Sequence, residues 1–174
     1  MNITKCEMSD LEKVAQFYDE IVLYLTQNIN YPKWTYNDYP SYKSAKAAIE
    51  SGDQYMCTDD EGNVIGAFVF DTDPHGNYDC GDWSVELKTG EYKIIHAFAV
   101  RSDLQGKGAG KIMVQYCLDS ARNEGFKAVR LDAVPENVPA RKLYEKMNFS
   151  FAGEKDLERN MPEIPTFVLY EFNF

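Results

Sequence analysis

Histidine and cysteine are scarce in this chain, and basic residues are outnumbered. Among 174 residues there are two histidines and four cysteines. No C-x-x-C pair occurs, and neither histidine sits at zinc-ligand spacing from two cysteines. A zinc module is therefore excluded and no metal is expected. Cys6, Cys57, Cys80 and Cys117 are too few for a disulfide framework in a chain of this length, and they read as reduced thiols of a cytoplasmic protein. Lys and Arg number 18 against 28 Asp and Glu, a formal net charge of −10. An acidic surface repels phosphate backbones, so nucleic acid is not expected as a partner. The same charge would either steer a cationic ligand or simply serve solubility. Residues 1–10 hold no basic patch followed by an apolar run, so no signal peptide is expected. No apolar stretch approaches the length needed to span a bilayer, and no membrane partner is expected. Internal repeats and low-complexity linkers are absent as well.

What the chain does have is apolar and aromatic content. Apolar residues make up 44%, with 12 Tyr, 10 Phe and 2 Trp. That suffices for one domain over 1–174 with a core able to support a cleft. Residues 2–6 read as a short edge strand. Ser9 and Glu12 have capping-box spacing, and Leu11, Val14, Ala15, Tyr18, Ile21, Val22 and Leu25 keep one helical face apolar. An aromatic-rich loop follows, carrying Trp34, Tyr36, Tyr39 and Tyr42. A second helix starts at Ser41 or Lys43 and runs to Glu50, ended by Gly52. Residues 54–58 and 64–70 form a hairpin around the turn chemistry of 59–63. Residues 71–90 are polar and read as a loop. The nearly unbroken apolar run 92–100 marks a central strand. A third helix buries Ala109, Ile112, Met113, Tyr116, Cys117 and Ala121, and Gly125 closes it. Residues 128–134 form a strand, and Asn137 caps a short helix with Ala140, Leu143, Tyr144 and Met147 on one side. Strands over 149–153 and 167–172 end the chain. The order β-α-α-β-β-β-α-β-α-β-β predicts an α/β or α+β sandwich around a mixed sheet.

The chemistry-bearing segment is Gln105-Gly-Lys-Gly-Ala-Gly-Lys111. It follows a buried strand and opens an amphipathic helix. Glycines let the backbone turn tightly and leave its N–H groups uncovered. Those groups, with the positive end of the helix dipole and the charges of Lys107 and Lys111, suit a pyrophosphate. A Walker A loop is ruled out, because only three residues separate Gly106 from Gly110-Lys111 and Ile112 follows. The dinucleotide pattern fails because Lys111 stands where a third glycine belongs. A simple strand-to-helix turn remains the alternative.

These residues resemble the GCN5-related N-acetyltransferase (GNAT) superfamily, and Tyr31-Pro-Lys-Trp34, Tyr39-Pro-Ser41 and the Ile95-His96 step resemble its bacterial subgroup of small cytoplasmic acetyltransferases. The glycine signature of that family is matched by Gln105, Gly108 and Gly110, and the preceding strand ends in Ala99-Val100 as the family's does. Downstream, Asn137, Ala140, Leu143-Tyr144-Glu145-Lys146 and Asn148-Phe149 match its second motif. Asn148 replaces the family's usual glycine, and it tolerates a left-handed backbone. Ala97 departs from the arginine often found after His96 in the bacterial subgroup. The resemblance implies a largely antiparallel, twisted mixed sheet with helices on both faces and splayed central strands.

It also implies acetyl-CoA as co-substrate and transfer of its acetyl group to a primary amine by direct attack on the thioester. The competing expectation is an acetyl-CoA sensor without turnover. Backbone groups of Phe98, Ala99 and Val100 would bind the pantetheine arm as an added strand would. The backbone from Gln105 through Gly106, Lys107, Gly108, Ala109 and Gly110 to Lys111 would hold the pyrophosphate, with Asn137 and Ala140 near the amide arm. A backbone N–H near Phe98 or Ala99 would face the developing oxyanion. Tyr144 would protonate the leaving thiolate or else merely pack in the core. His96, as an imidazole, suits a general base, but a hydrogen-bonded core histidine fits as well, and Glu91 or Glu86 acting through water competes. Trp34, Tyr36 and Tyr39 would line an acceptor pocket, or be ordinary buried aromatics. The acceptor is a small-molecule or peptide amine, and a homodimer is compatible with the sequence.

Overall fold

The computed structural model describes residues 1–174. Seven strands and four α-helices follow one another as the sequence predicts. They are β1 (Asn2–Lys5), α1 (Leu11–Thr26), α2 (Tyr42–Glu50), β2 (Gln54–Thr58), β3 (Val64–Asp71), β4 (Tyr92–Val100), α3 (Ala109–Asn123), β5 (Ala128–Ala133), α4 (Val138–Lys146), β6 (Ser150–Lys155) and β7 (Phe167–Asn173). The strands form one open sheet in the order β1-β2-β3-β4-β5-β7-β6. The β1–β2, β2–β3, β5–β7 and β6–β7 pairs are antiparallel, and β4–β5 is parallel. The β4–β5 ladder has four pairs, from Tyr92↔Ala128 to Ile95↔Leu131, and β4 continues for five residues past the last of them.

The chain divides into two compact units. One comprises Met1–Asn30, Trp34–Phe70 and His96–Tyr116; the other comprises Tyr31–Lys33, Asp71–Ile95 and Cys117–Phe174. In the first unit α1 presents Leu11, Val14, Ala15, Phe17, Tyr18, Ile21 and Val22 inward, at helical spacing. Of these, Leu11, Val14, Phe17, Tyr18 and Ile21 pack with Ala45, Ile49, Met56, Ala67 and Ala99. Burying each large apolar side chain contributes about 1.5–3 kcal/mol relative to exposure. The hairpin β2–β3 is tightened by Asp59, whose Oδ1 accepts from the N–H groups of Glu61 and Asn63. Gly66 permits a close approach. A Cβ there would stand 2.5 Å from Met113 Sδ and 3.1 Å from the Ala99 carbonyl oxygen.

In the second unit Tyr78, Tyr92, Ile94, Ala128, Val134, Ala152, Leu157, Ile164, Phe167 and Leu169 form the core. The helix α3 ends as its sequence predicts. Gly125 takes φ +85°, and the Phe126 N–H reaches back to the Ala121 carbonyl.

Three expectations change at the residue level. The capping box lies two residues earlier than Ser9–Glu12. Glu7 and Asp10 bracket a single 3-10 turn over Met8–Asp10, and the Glu7 N–H donates to Asp10 Oδ2 at 2.9 Å. Asp10 itself then precedes α1 without a side-chain cap. On α3, Ile112 is half-exposed, while Val114 and Leu118 take inward positions beside Met113, Cys117 and Ala121. A three-four spacing alone leaves the stripe free to rotate by one position, and tertiary packing sets the rotation. The loop 71–90 is more structured than its polarity suggests. It holds a 3-10 turn at Tyr78–Cys80 and buries Tyr78 completely.

Candidate active site

The glycine-rich turn begins with a 3-10 turn at Ser102–Leu104, and α3 starts at Ala109. Gly106 and Gly108 take φ +76° and +95°, the left-handed region where side chains are disfavoured. A Cβ at either position would meet nothing within 4 Å, so conformation alone demands glycine there. The N–H groups of Gln105 and Lys107 are spent within the turn, on the carbonyls of Ser102 and Leu104. The Ile112 N–H bonds the Gly108 carbonyl and begins the helical ladder. That leaves the first-turn amides of α3, Ala109 to Lys111, as groups with no intrahelical acceptor. Lys107 and Lys111 are exposed beside them. Arg101, just before the turn, is held in a fork by Asp103, with Nε to Oδ1 at 2.8 Å.

The strand feeding this turn carries a local distortion. Ala97 sits inside β4 with φ +47°. A non-glycine residue in that region costs about 1–2 kcal/mol, so something must hold it. The positive φ also interrupts the pleat, so regular side-chain alternation does not carry across Ala97. The Ala97 carbonyl accepts a hydrogen bond from the Tyr18 hydroxyl at 3.0 Å. Tyr18 is in turn 3.2 Å from the Gln54 side-chain nitrogen. Both side chains are buried. Desolvation pushes the Tyr18 phenol well above its ordinary range, which keeps it a neutral donor. The aromatic loop joins the same unit. Trp34 meets Tyr18 and Tyr39 edge-on, at 6.4 and 6.3 Å between ring centroids. Trp34 is half-buried against the core, whereas Tyr36 and Tyr39 are exposed.

The second unit holds the other sequence candidates. Asn137 caps α4, its Oδ1 accepting from the Ala140 N–H at 3.3 Å. Tyr144 is buried, packed against the rings of Phe149 and Tyr170 at 6.0 Å each. Desolvation raises its pKa, with the charge of Asp132 adding to the shift, so its proton is firmly held at neutral pH. Asn148 adopts φ +63°, a left-handed conformation that asparagine tolerates. Glu91 is committed to Lys127 Nζ and to the Lys88 N–H, and these bonds lower its pKa. Glu86 is exposed.

Several polar residues that shape the two units carry no motif. Besides Tyr18 and Gln54, the second unit contains Arg130 and Glu171, both 2% exposed at the side chain. Its loops are tied by Arg159, which forks Asp132 at 2.8 Å through two nitrogens while Tyr78 donates to the same carboxylate at 2.6 Å. A signal for Arg130 does exist in the sequence. It is a charged residue inside the apolar strand Ala128–Ala133, and such a residue demands a partner.

Comparison with known proteins agrees with this architecture. The chain belongs to the acetyltransferase (GNAT) family, whose model matches residues 15–149. It is therefore an acyltransferase, of a family that uses acetyl-CoA generally. A protein of Bacillus subtilis (strain 168) named "Putative phosphinothricin acetyltransferase YwnH" is 28% identical over 156 residues, covering 88% of this chain and 86% of the relative. A GNAT-family acetyltransferase structure from Streptococcus agalactiae 2603 shares the fold with a TM-score of 0.76 at 15% identity, covering 99% of this chain and 95% of that one. One from Listeria monocytogenes 4b F2365 matches with a TM-score of 0.75 at 16% identity over 99% and 94%. No helix is long and apolar enough to cross a membrane.

Proposed function

We propose that this chain moves the acetyl group of acetyl-CoA to a primary amine by direct attack of the amine on the thioester. The observation that carries this reading is the turn 105–111, with two left-handed glycines and an uncovered helix start, placed directly after a distorted strand. Its fit to a pyrophosphate is good. The helix start supplies N–H donors, Lys107 and Lys111 supply charge, and open space stands where side chains would otherwise be. Gly106, Gly108, Ala109, Gly110 and Lys111 would bind the diphosphate, with Gln105 and Lys107 shaping the turn through their own amides. The backbone of Phe98, Ala99 and Val100 would orient the pantetheine arm. A peptide N–H at Phe98 or Ala99 would face the oxygen on which charge develops during attack. Tyr144 would return a proton to the thiolate; its raised pKa keeps that proton available at neutral pH. His96 would take the proton from the amine, and Trp34, Tyr36 and Tyr39 would receive the acceptor.

The test is thiol release from acetyl-CoA across a panel of amines: polyamines, amino acids, aminoglycosides, peptide N-termini and phosphinothricin. The last is included because it stands in the name of the Bacillus relative. Turnover with at least one amine is expected, and Tyr144→Phe should lower kcat by about 10²-fold. An unchanged kcat in that variant removes Tyr144 from the proton path. His96→Ala separates a proton acceptor from a packing residue in the same assay. No turnover with any amine leaves a module that binds without transfer.

A further inference from the structure

We infer that Tyr18 and Gln54 are positioning residues that hold the peptide between Ala97 and Phe98 in the orientation acyl transfer needs. The inference rests on the transfer reading above and extends it to two residues that lie outside every motif in the chain.

The geometry assigns the direction of each hydrogen bond. The Gln54 side-chain nitrogen stands 3.0 Å from the Tyr55 carbonyl, 3.0 Å from the Phe68 carbonyl and 3.2 Å from the Tyr18 oxygen. An amide nitrogen donates and does not accept. Flipping the amide would set its oxygen against two carbonyl oxygens, so the nitrogen must face them. The Tyr18 proton therefore has one acceptor in this cluster, the Ala97 carbonyl at 3.0 Å. Gln54 is fully buried, and its Oε1 has no hydrogen-bond partner. A buried amide that leaves its oxygen unsatisfied is costly as a packing residue, which calls for a reason beyond stability.

The reason lies in what is being held. Ala97 has φ +47° inside a strand, a conformation that persists only where its surroundings over-determine it. Fixing the Ala97 carbonyl fixes the whole planar peptide, including the Phe98 N–H on its other side. Under the transfer reading that N–H, or its neighbour at Ala99, faces the developing oxyanion. A donor that is fixed beforehand costs no reorganisation during reaction, so a small tilt of this peptide is felt in kcat. Tyr18 touches no reacting atom in this scheme; it acts through the Ala97 carbonyl.

The experiment removes the hydroxyl and reads the peptide directly. The chain contains two Ala-Phe steps, Ala67-Phe68 and Ala97-Phe98. Labelling alanine at its carbonyl carbon and phenylalanine at nitrogen therefore gives two cross-peaks, the first serving as internal control. Tyr18→Phe should move the Ala97-Phe98 peak and leave the control in place. In thiol release it should lower kcat about tenfold and change the KM for acetyl-CoA by less, because the pyrophosphate turn is untouched. A stationary Ala97-Phe98 peak overturns the inference, and so does a moved peak with undiminished kcat. Gln54→Met, which keeps bulk but removes the amide, should act in the same direction and serves if Tyr18→Phe does not fold. A wild-type protein that turns over no amine sinks the transfer reading instead. The peptide is then read by acetyl-CoA titration, where the Ala97-Phe98 peak should respond less in Tyr18→Phe than in wild type. Equal responses overturn the positioning role.

Discussion

The two units bury polar groups in different ways. In the first, the buried polar cluster is neutral: a phenol, a carboxamide and backbone carbonyls at donor–acceptor distances of 3.0–3.2 Å, the two amide hydrogens of Gln54 being shared among three acceptors. In the second it is charged. The Arg130 guanidinium lies between the Trp83 and Tyr92 rings, 4.0 and 4.2 Å from their centroids, and donates to the Val85 carbonyl at 2.9 Å. Its carboxylate partner Glu171 stands 3.9 Å away, too far for a hydrogen bond, and accepts instead from the Ser84 N–H at 2.7 Å. Burial pulls the Arg130 pKa below its ordinary value. The charged cluster fixes a loop on the sheet, since both partners reach into residues 83–85. The neutral cluster fixes one peptide. Desolvating a charge costs far more than desolvating an amide or hydroxyl, so architecture and fine positioning are separated by cost.

The largest expected effect follows from that difference. Arg130→Met leaves the Glu171 carboxylate buried without its countercharge and should destabilise the protein by about 3–5 kcal/mol. Arg130→Met combined with Glu171→Leu should recover most of the loss, because no lone charge then remains. Tyr18→Phe, which strands one carbonyl, should cost about 1–3 kcal/mol. Urea unfolding followed by circular dichroism measures all three. If Arg130→Met costs no more than Tyr18→Phe, charge is not what distinguishes the two clusters.

A second contrast uses glycine. Gly108 in the first unit and Gly125 in the second have similar φ, +95° and +85°, and neither has a neighbour where a Cβ would stand. Alanine at either position should therefore cost about 1–2 kcal/mol of stability. Only Gly108→Ala should also weaken binding of CoA, on the order of tenfold, since only that turn is read as a diphosphate site. Calorimetric titration with CoA decides it. Equal binding by both variants would remove the turn's assigned role and leave an ordinary strand-to-helix connection.

Element order was legible because apolar periodicity changes cleanly along the chain. The hairpin around 59–63, the Ser41 start of α2 and the left-handed Asn148 were legible because side-chain chemistry at turns is local. The glycine turn was legible for the same reason. Tyr18 was not, since a tyrosine on an apolar helical stripe reads as packing and its hydroxyl partner lies 79 residues away. Nor was the distortion at Ala97. Alanine carries no mark of a positive φ, and the hydrogen bond that sustains it comes from another element. Gln54 opens a buried strand, which hints at a buried amide, but its three neighbours are brought together only by β2–β3 pairing and α1 packing. Long-range polar contacts of this kind leave no period to read.

The smallest expected effect tests a charged contact at the surface of the second unit. His75 has φ +48°, and its N–H donates to Asp73 Oδ1 at 2.9 Å. Its ring nitrogens lie 3.4 Å from Asp71 and 3.6 Å from Asp73. The hydrogen bond to Asp71 is the main cause of a raised pKa, with desolvation and the charge of Arg159 opposing. A folded pKa above the unfolded one means that the imidazolium contributes stability fully below the unfolded value, about 6.5. That contribution is lost as pH rises through the folded pKa. The difference in Tm between wild type and His75→Gln should therefore be present near about pH 5.5 and close by about pH 9. Because the ring is more than half exposed, solvent screens the pair and the difference should be small. An equal Tm difference at both pH values would show that the imidazole contributes to this turn by something other than its charge.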